Sequence, residues 1–156
     1  MAPMGKVARR LACAVLVLHL CTGCMQGESS TETWTPLAQR YPTWAATLDD
    51  PARALEGGDT IRYDFLGEYS TSIEVDGETA RAILDALDQV EVGPEATTRW
   101  SDFGDRVVVT FSDGTSQSLT FEGHQVVVDP GNPRQAYQIR GADNLFRLLA
   151  ELSPDY

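Results

Sequence analysis

Beyond Lys6 the chain has no lysine; every later basic residue is arginine. A codon bias toward arginine accounts for this pattern, and it excludes Schiff-base and lysine general-base chemistry from the rest of the chain. Cysteine is as scarce, at positions 13, 21 and 24 only. A folded domain downstream of residue 24 therefore has no thiol with which to staple its elements or ligate a metal. Histidine occurs at 19 and 124 alone. No apolar run reaches the roughly 20 residues that a bilayer-spanning helix needs. G-x-S-x-G, H-E-x-x-H, P-loop and G-x-G-x-x-G patterns are missing, and there is no internal repeat. Catalysis has no visible carrier, and no cofactor is implied.

Acid dominates what is present. All 23 acidic residues lie beyond position 23 but only nine of the 12 basic ones do, leaving residues 24–156 with a formal charge of −14. Such a surface repels polyanions, so nucleic acid is excluded as a partner, and the expected protein partner has a basic surface. Anionic lipid is repelled as well, so the domain stands off from a membrane surface.

The first thirty residues are of a different kind. Lys6, Arg9 and Arg10 precede an apolar stretch from Leu11 to Leu20 interrupted only by His19, and small residues follow. A positive start, a short apolar core and a small-residue end mark a secretory signal segment, here residues 1–23. The stretch Leu20, Cys21, Thr22, Gly23, Cys24 resembles the lipobox of a bacterial lipoprotein precursor, with Cys21 standing where that family has leucine. The resemblance covers only residues 1–24. It implies cleavage before Cys24, lipidation of the Cys24 sulfur, and a domain held outside the cytoplasm on the cell membrane or the outer membrane. Met25 rather than aspartate after the cysteine implies the outer membrane in a Gram-negative cell. Cys21 is unsuited to the modification because bulky Leu20 precedes it.

Residues 24–33 are small and polar and are expected to form a flexible tether. Residues 34–58 read as a connecting segment of short helical turns, with Asp50 and Pro51 as an N-cap and first helical position before Gly57 and Gly58. Trp34, Tyr41 and Trp44 either pack on the domain or form an exposed interaction patch; the pattern leaves both open.

Residues 59–156 are expected to form an α+β globular domain. Alternation predicts strands at 61–65 and 69–75, and Asp76 is placed to cap a helix whose Ala80, Ile83, Leu84 and Leu87 follow helical spacing. Gly93 and Pro94 read as a chain break. Residues 106–129 predict three antiparallel strands. A three-residue turn at Ser112, Asp113 and Gly114 keeps Val107, Val109, Leu119 and Phe121 on one face, and a two-residue turn at Glu122 and Gly123 adds Val126 and Val128 to it. Residues 136–140 read as an edge strand, followed by a helix over 142–152. The expected architecture is an antiparallel sheet of about five or six strands with two amphipathic helices on one face, ordered as two strands, a helix, four strands and a helix.

His124 is expected beside Phe121, partly buried at the end of the apolar face, and lacks the partners that a metal or nucleophilic site requires. Asp102 with Asp105, and Asp49 with Asp50, lack the alternating oxygen ligands of a calcium loop. The leading expectation is a lipid-anchored binding or assembly module of the cell envelope. The alternatives are a carboxylate-dependent enzyme acting on a glycan and a module that senses for, or inhibits, a neighbouring envelope protein.

Overall fold

In the computed structural model, residues 33–96, 104–129 and 135–153 are described. The signal segment, Cys24 and most of the tether lie outside these residues, as do Asp102 and residues 130–134. Within the described residues the chain forms β1 (Thr35–Pro36), α1 (Leu37–Arg40), a 3-10 turn (Pro42–Trp44), α2 (Ala45–Asp49), α3 (Pro51–Glu56), β2 (Thr60–Leu66), β3 (Thr71–Glu74) and α4 (Gly77–Leu87). It continues through β4 (Glu91–Glu95), β5 (Gly104–Thr110), β6 (Ser116–Glu122), β7 (Gln125–Asp129), β8 (Tyr137–Arg140) and α5 (Asp143–Leu152). The α+β class expected from the pattern is what forms. Among the described residues the sheet has eight strands rather than five or six, and there are five α-helices rather than two.

The strands are all antiparallel, in the order β1-β4-β8-β7-β6-β5-β2-β3. Strand parity sets the two faces of this sheet. Val107, Val109, Leu119, Phe121, Val126 and Val128 lie on one side and join the buried residues of the helices in a single core. The α4 stripe of Ala80, Ile83, Leu84 and Leu87 is fully covered, each large side chain contributing roughly 1.5–3 kcal/mol by leaving water. Asp76 caps that helix by accepting the Thr79 N–H at 2.9 Å, and Asp50 caps α3 through the Arg53 N–H at 3.1 Å. α4 touches α2 and α3 as well as α5, so it ties the helical layer together.

The central meander forms with one turn displaced. Phe111 and Thr115 close a three-residue turn whose Gly114 takes φ +84°, as the parity argument requires. The β6–β7 turn, expected at Glu122 and Gly123, falls at Gly123 and His124 instead, because Glu122 pairs with Gln125. Two-residue hairpin turns place positive φ on their first residue, which Gly123 adopts at +55° and a glutamate resists. The register moves without changing parity, so Val126 and Val128 keep the core face.

Two further readings are corrected. The Gly93–Pro94 stretch lies inside β4, where the register shifts between Val92 and Glu95; an irregularity of this sort admits a proline that has no N–H to offer the ladder. β8 lies between β4 and β7 rather than at an edge. β7 precedes it directly, but its other neighbour, β4, is distant in sequence, and alternation within one strand cannot reveal that pairing.

The aromatic segment is part of the packing. Trp44 is fully buried, its ring edge-on to Phe111 at 6.2 Å, and Leu37 and Leu48 join the same core. Trp34 lies over Gly93, where a Cβ would come within 2.7 Å of the ring, and Arg140 stacks on it at 4.6 Å. Tyr41 is half-buried against the core.

Trp44→Ala is expected to cost about 3–5 kcal/mol of unfolding free energy, measured by urea denaturation, because it empties a filled site. Gly141→Ala is expected to cost about 2–3 kcal/mol by the same measurement: Gly141 sits at φ +74°, and a Cβ there would collide with the Gln89 carbonyl oxygen.

Candidate functional site

The buried apolar residues of the helices join one core with the sheet face of Val107, Leu119 and Phe121. The other sheet face is mostly polar, with buried Val108 and Val127 among its polar groups. Pairing builds it in rows. One row runs Glu74, Arg62, Val108, Ser118, Asp129; the next runs Ser72, Asp64, Arg106, Thr120, Val127. Along the first row is a cavity of about 150 Å³, lined by Arg62, Val108, Ser118 and Asp129 together with Arg106, Ser116 and Gln117.

An ion pair organises the β2 side of this face. Asp64 is buried, and Arg62 grips both of its oxygens, Nε to Oδ1 at 2.9 Å and Nη2 to Oδ2 at 3.2 Å. Ser72 donates to the same carboxylate at 2.6 Å from the edge strand. Burial alone would raise the Asp64 carboxyl. The hydrogen bonds from Arg62 and Ser72, with the charges of Arg62 and Arg106, outweigh it and hold the group below the usual carboxylate range. Arg106 is oriented in turn by its Nε, which donates to Thr120 Oγ1 at 3.1 Å.

The other buried carboxylate is structural. Asp59 accepts the Thr47 hydroxyl and the Ser112 N–H, each at 2.8 Å, which fastens α2 to the β5–β6 turn. Half-buried Asp105 accepts the hydroxyl of buried Tyr63 at 2.5 Å.

His124 is exposed in the β6–β7 turn rather than partly buried beside Phe121, with its ring 6.2 Å from that of Phe146. Asp50 is a helix cap, and Asp49 borders a shallow concavity with Ala38, Ala45, Ala46 and Asp88. The structure does not bring these residues together. Among the described residues no three His, Cys, Asp or Glu side chains converge as a metal site, and no helix is long and apolar enough to cross a membrane.

The residues that do converge, Arg62, Arg106, Ser118 and Asp129, were not singled out by sequence reasoning. Their signal was the complement of the core pattern: Arg62, Asp64, Arg106, Ser116, Ser118 and Thr120 alternate with core residues along β2, β5 and β6, with Val108 as an apolar exception. No protein-family model matches the chain, and no curated protein or solved structure matches it either.

The sign of the Asp64 effect is fixed by its direction. The unfolded carboxyl takes up a proton at about pH 3.9 while the folded one resists until lower pH, so its stabilisation is complete above about pH 5 and is lost as pH falls through and below the unfolded carboxyl's range. Asp64→Asn is expected to unfold about 1–2 kcal/mol more easily at pH 7 and to lose less stability than wild type on acidification, as followed by urea titrations across that range.

Proposed function

We propose that this chain is a lipid-anchored binding module of the bacterial cell envelope, held at the membrane through Cys24 with its open sheet face as the recognition surface. One observation carries the recognition half of this reading. The sheet packs one side into the apolar core it shares with the helices, and on its other side a cavity lined mainly by polar groups opens around Arg62 and Arg106. Arginine, hydroxyl and carboxylate groups around a cavity suit hydrogen-bonded contact with a partner.

The anchor and the charge act together. Each buried methylene of an acyl chain adds about 0.8 kcal/mol of membrane affinity, so two or three chains on Cys24 hold the protein on the bilayer. The charge of −14 on residues 24–156 keeps the domain off anionic lipid and steers basic partners toward it over roughly a Debye length, about 8 Å at physiological salt. A binding role is favoured over glycan hydrolysis by carboxylates because the two buried carboxylates among the described residues, Asp59 and Asp64, are committed to partners inside the fold. A general acid has to be free to exchange its proton.

Growth with labelled palmitate is expected to mark the wild-type protein in the membrane fraction, and Cys24→Ala is expected to remove the label and release the protein. Label surviving in the alanine variant, or a soluble unlabelled wild type, would refute the anchor. Affinity capture from detergent-solubilised membranes is expected to retain a basic protein whose binding weakens as salt is raised.

A further inference from the structure

The groups around the open-face cavity are of two kinds. Arg62 is committed to Asp64, Ser116 shares a 3.0 Å hydrogen bond with Thr110, and Gln117 accepts from Thr43 at 2.6 Å. Three others have capacity left over. Arg106 gives Thr120 only its Nε, so both terminal nitrogens of its fork lack a partner among the described residues. Ser118 is 7% exposed, yet its hydroxyl makes no hydrogen bond there. Exposed Asp129 lines the same cavity, and its carboxylate makes no hydrogen bond among the described residues.

Register brings the three together. Val108 pairs with Ser118, Ser118 pairs with Asp129, and Arg106 precedes Val108 by two residues on β5. With strands about 4.8 Å apart and same-face residues about 6.8 Å apart, the Arg106 and Asp129 backbones are separated by roughly 12 Å, with Ser118 between them. Their side chains line one cavity. An arginine fork receives a carboxylate through two parallel hydrogen bonds, a carboxylate receives an ammonium, and a hydroxyl serves either. A lone anion would satisfy Arg106 but meet repulsion from Asp129, and a lone cation would meet the reverse. A ligand carrying both charges leaves neither group unpaired.

We infer that this cavity binds a zwitterion of dipeptide size, with the ligand's carboxylate on Arg106, its ammonium on Asp129 and a hydrogen bond from Ser118 between them. The volume of about 150 Å³ is about tenfold the roughly 10–15 Å³ that a single water needs, which leaves room for a small multi-atom ligand. The inference rests on the open face being the recognition surface and is independent of the lipid on Cys24.

The full chain in detergent micelles, labelled with nitrogen-15, is titrated with glycylglycine, acetate or methylammonium while the backbone amides of β5–β7 are followed. Glycylglycine is expected to shift the Ser118, Thr120 and Asp129 amides saturably, with acetate and methylammonium each roughly tenfold weaker. Arg106→Gln and Asp129→Asn are each expected to weaken glycylglycine by about tenfold. Asp129→Asn is also expected to leave the acetate response undiminished. Because Arg106 also holds Thr120, Asp129→Asn, which removes no internal hydrogen bond, carries the test without altering the fold. Absence of saturable shifts, or glycylglycine binding unchanged in Asp129→Asn, overturns the assignment. If that happens while palmitate labelling and partner capture persist, the zwitterion fails and the anchored binding module stands.

Discussion

The structure depends on burying one face of an antiparallel sheet in a single apolar core. Successive side chains in a strand point to opposite faces, so a run such as Arg106 to Thr110 places Val107 and Val109 on one side, Arg106 and Val108 on the other. Once Leu119, Phe121, Val126 and Val128 fall on the valine side through two turns of matched parity, that face requires a cover of comparable area. The helices supply it with Leu37, Trp44, Ile83, Leu84, Leu87, Leu145 and Leu149. The opposite face is then left to polar chemistry, because the chain has committed its long apolar side chains elsewhere.

Polar groups inside this fold act as fasteners between elements that are distant in sequence. Asp59 joins α2 to the β5–β6 turn, Tyr63 meets Asp105 across β2 and β5, and Asp64 gathers Arg62 and Ser72 between β2 and the edge strand β3. Each is a charge-assisted contact, and each would be costly if one partner were removed. In a domain without disulfides these contacts supplement a modest core. They also explain why carboxylates that look available in sequence are not available for chemistry.

Much of the fold was legible in the sequence because its signals are local. The Asp76 cap, the α4 and α5 stripes, and the three-residue turn at Ser112–Gly114 each depend on a few adjacent residues. β4 was missed because Gly93 and Pro94 are read locally as breakers, whereas Trp34 packing on the glycine and an irregular register around the proline make a strand of them. His124 was misplaced by one turn position, since parity alone does not distinguish two registers that differ by two in their pairing. The site was least legible. Arg62, Arg106, Ser118 and Asp129 lie on four strands, and only the pairing of β2, β5, β6 and β7 makes them neighbours.

The sequence by itself determined the α+β class, the placement of the principal helices and the meander, and the acidic charge with its absence of lysine and of cysteine beyond residue 24. It determined these because periodicity, capping and composition are properties of neighbouring residues. Only the tertiary structure decided that β1 and β4 extend the sheet to eight strands, that β8 is interior, that Trp44 belongs to the core, and that Arg62, Arg106, Ser118 and Asp129 line one cavity. Those outcomes follow from contacts between segments far apart in the chain, where burial and strand pairing outweigh local preference.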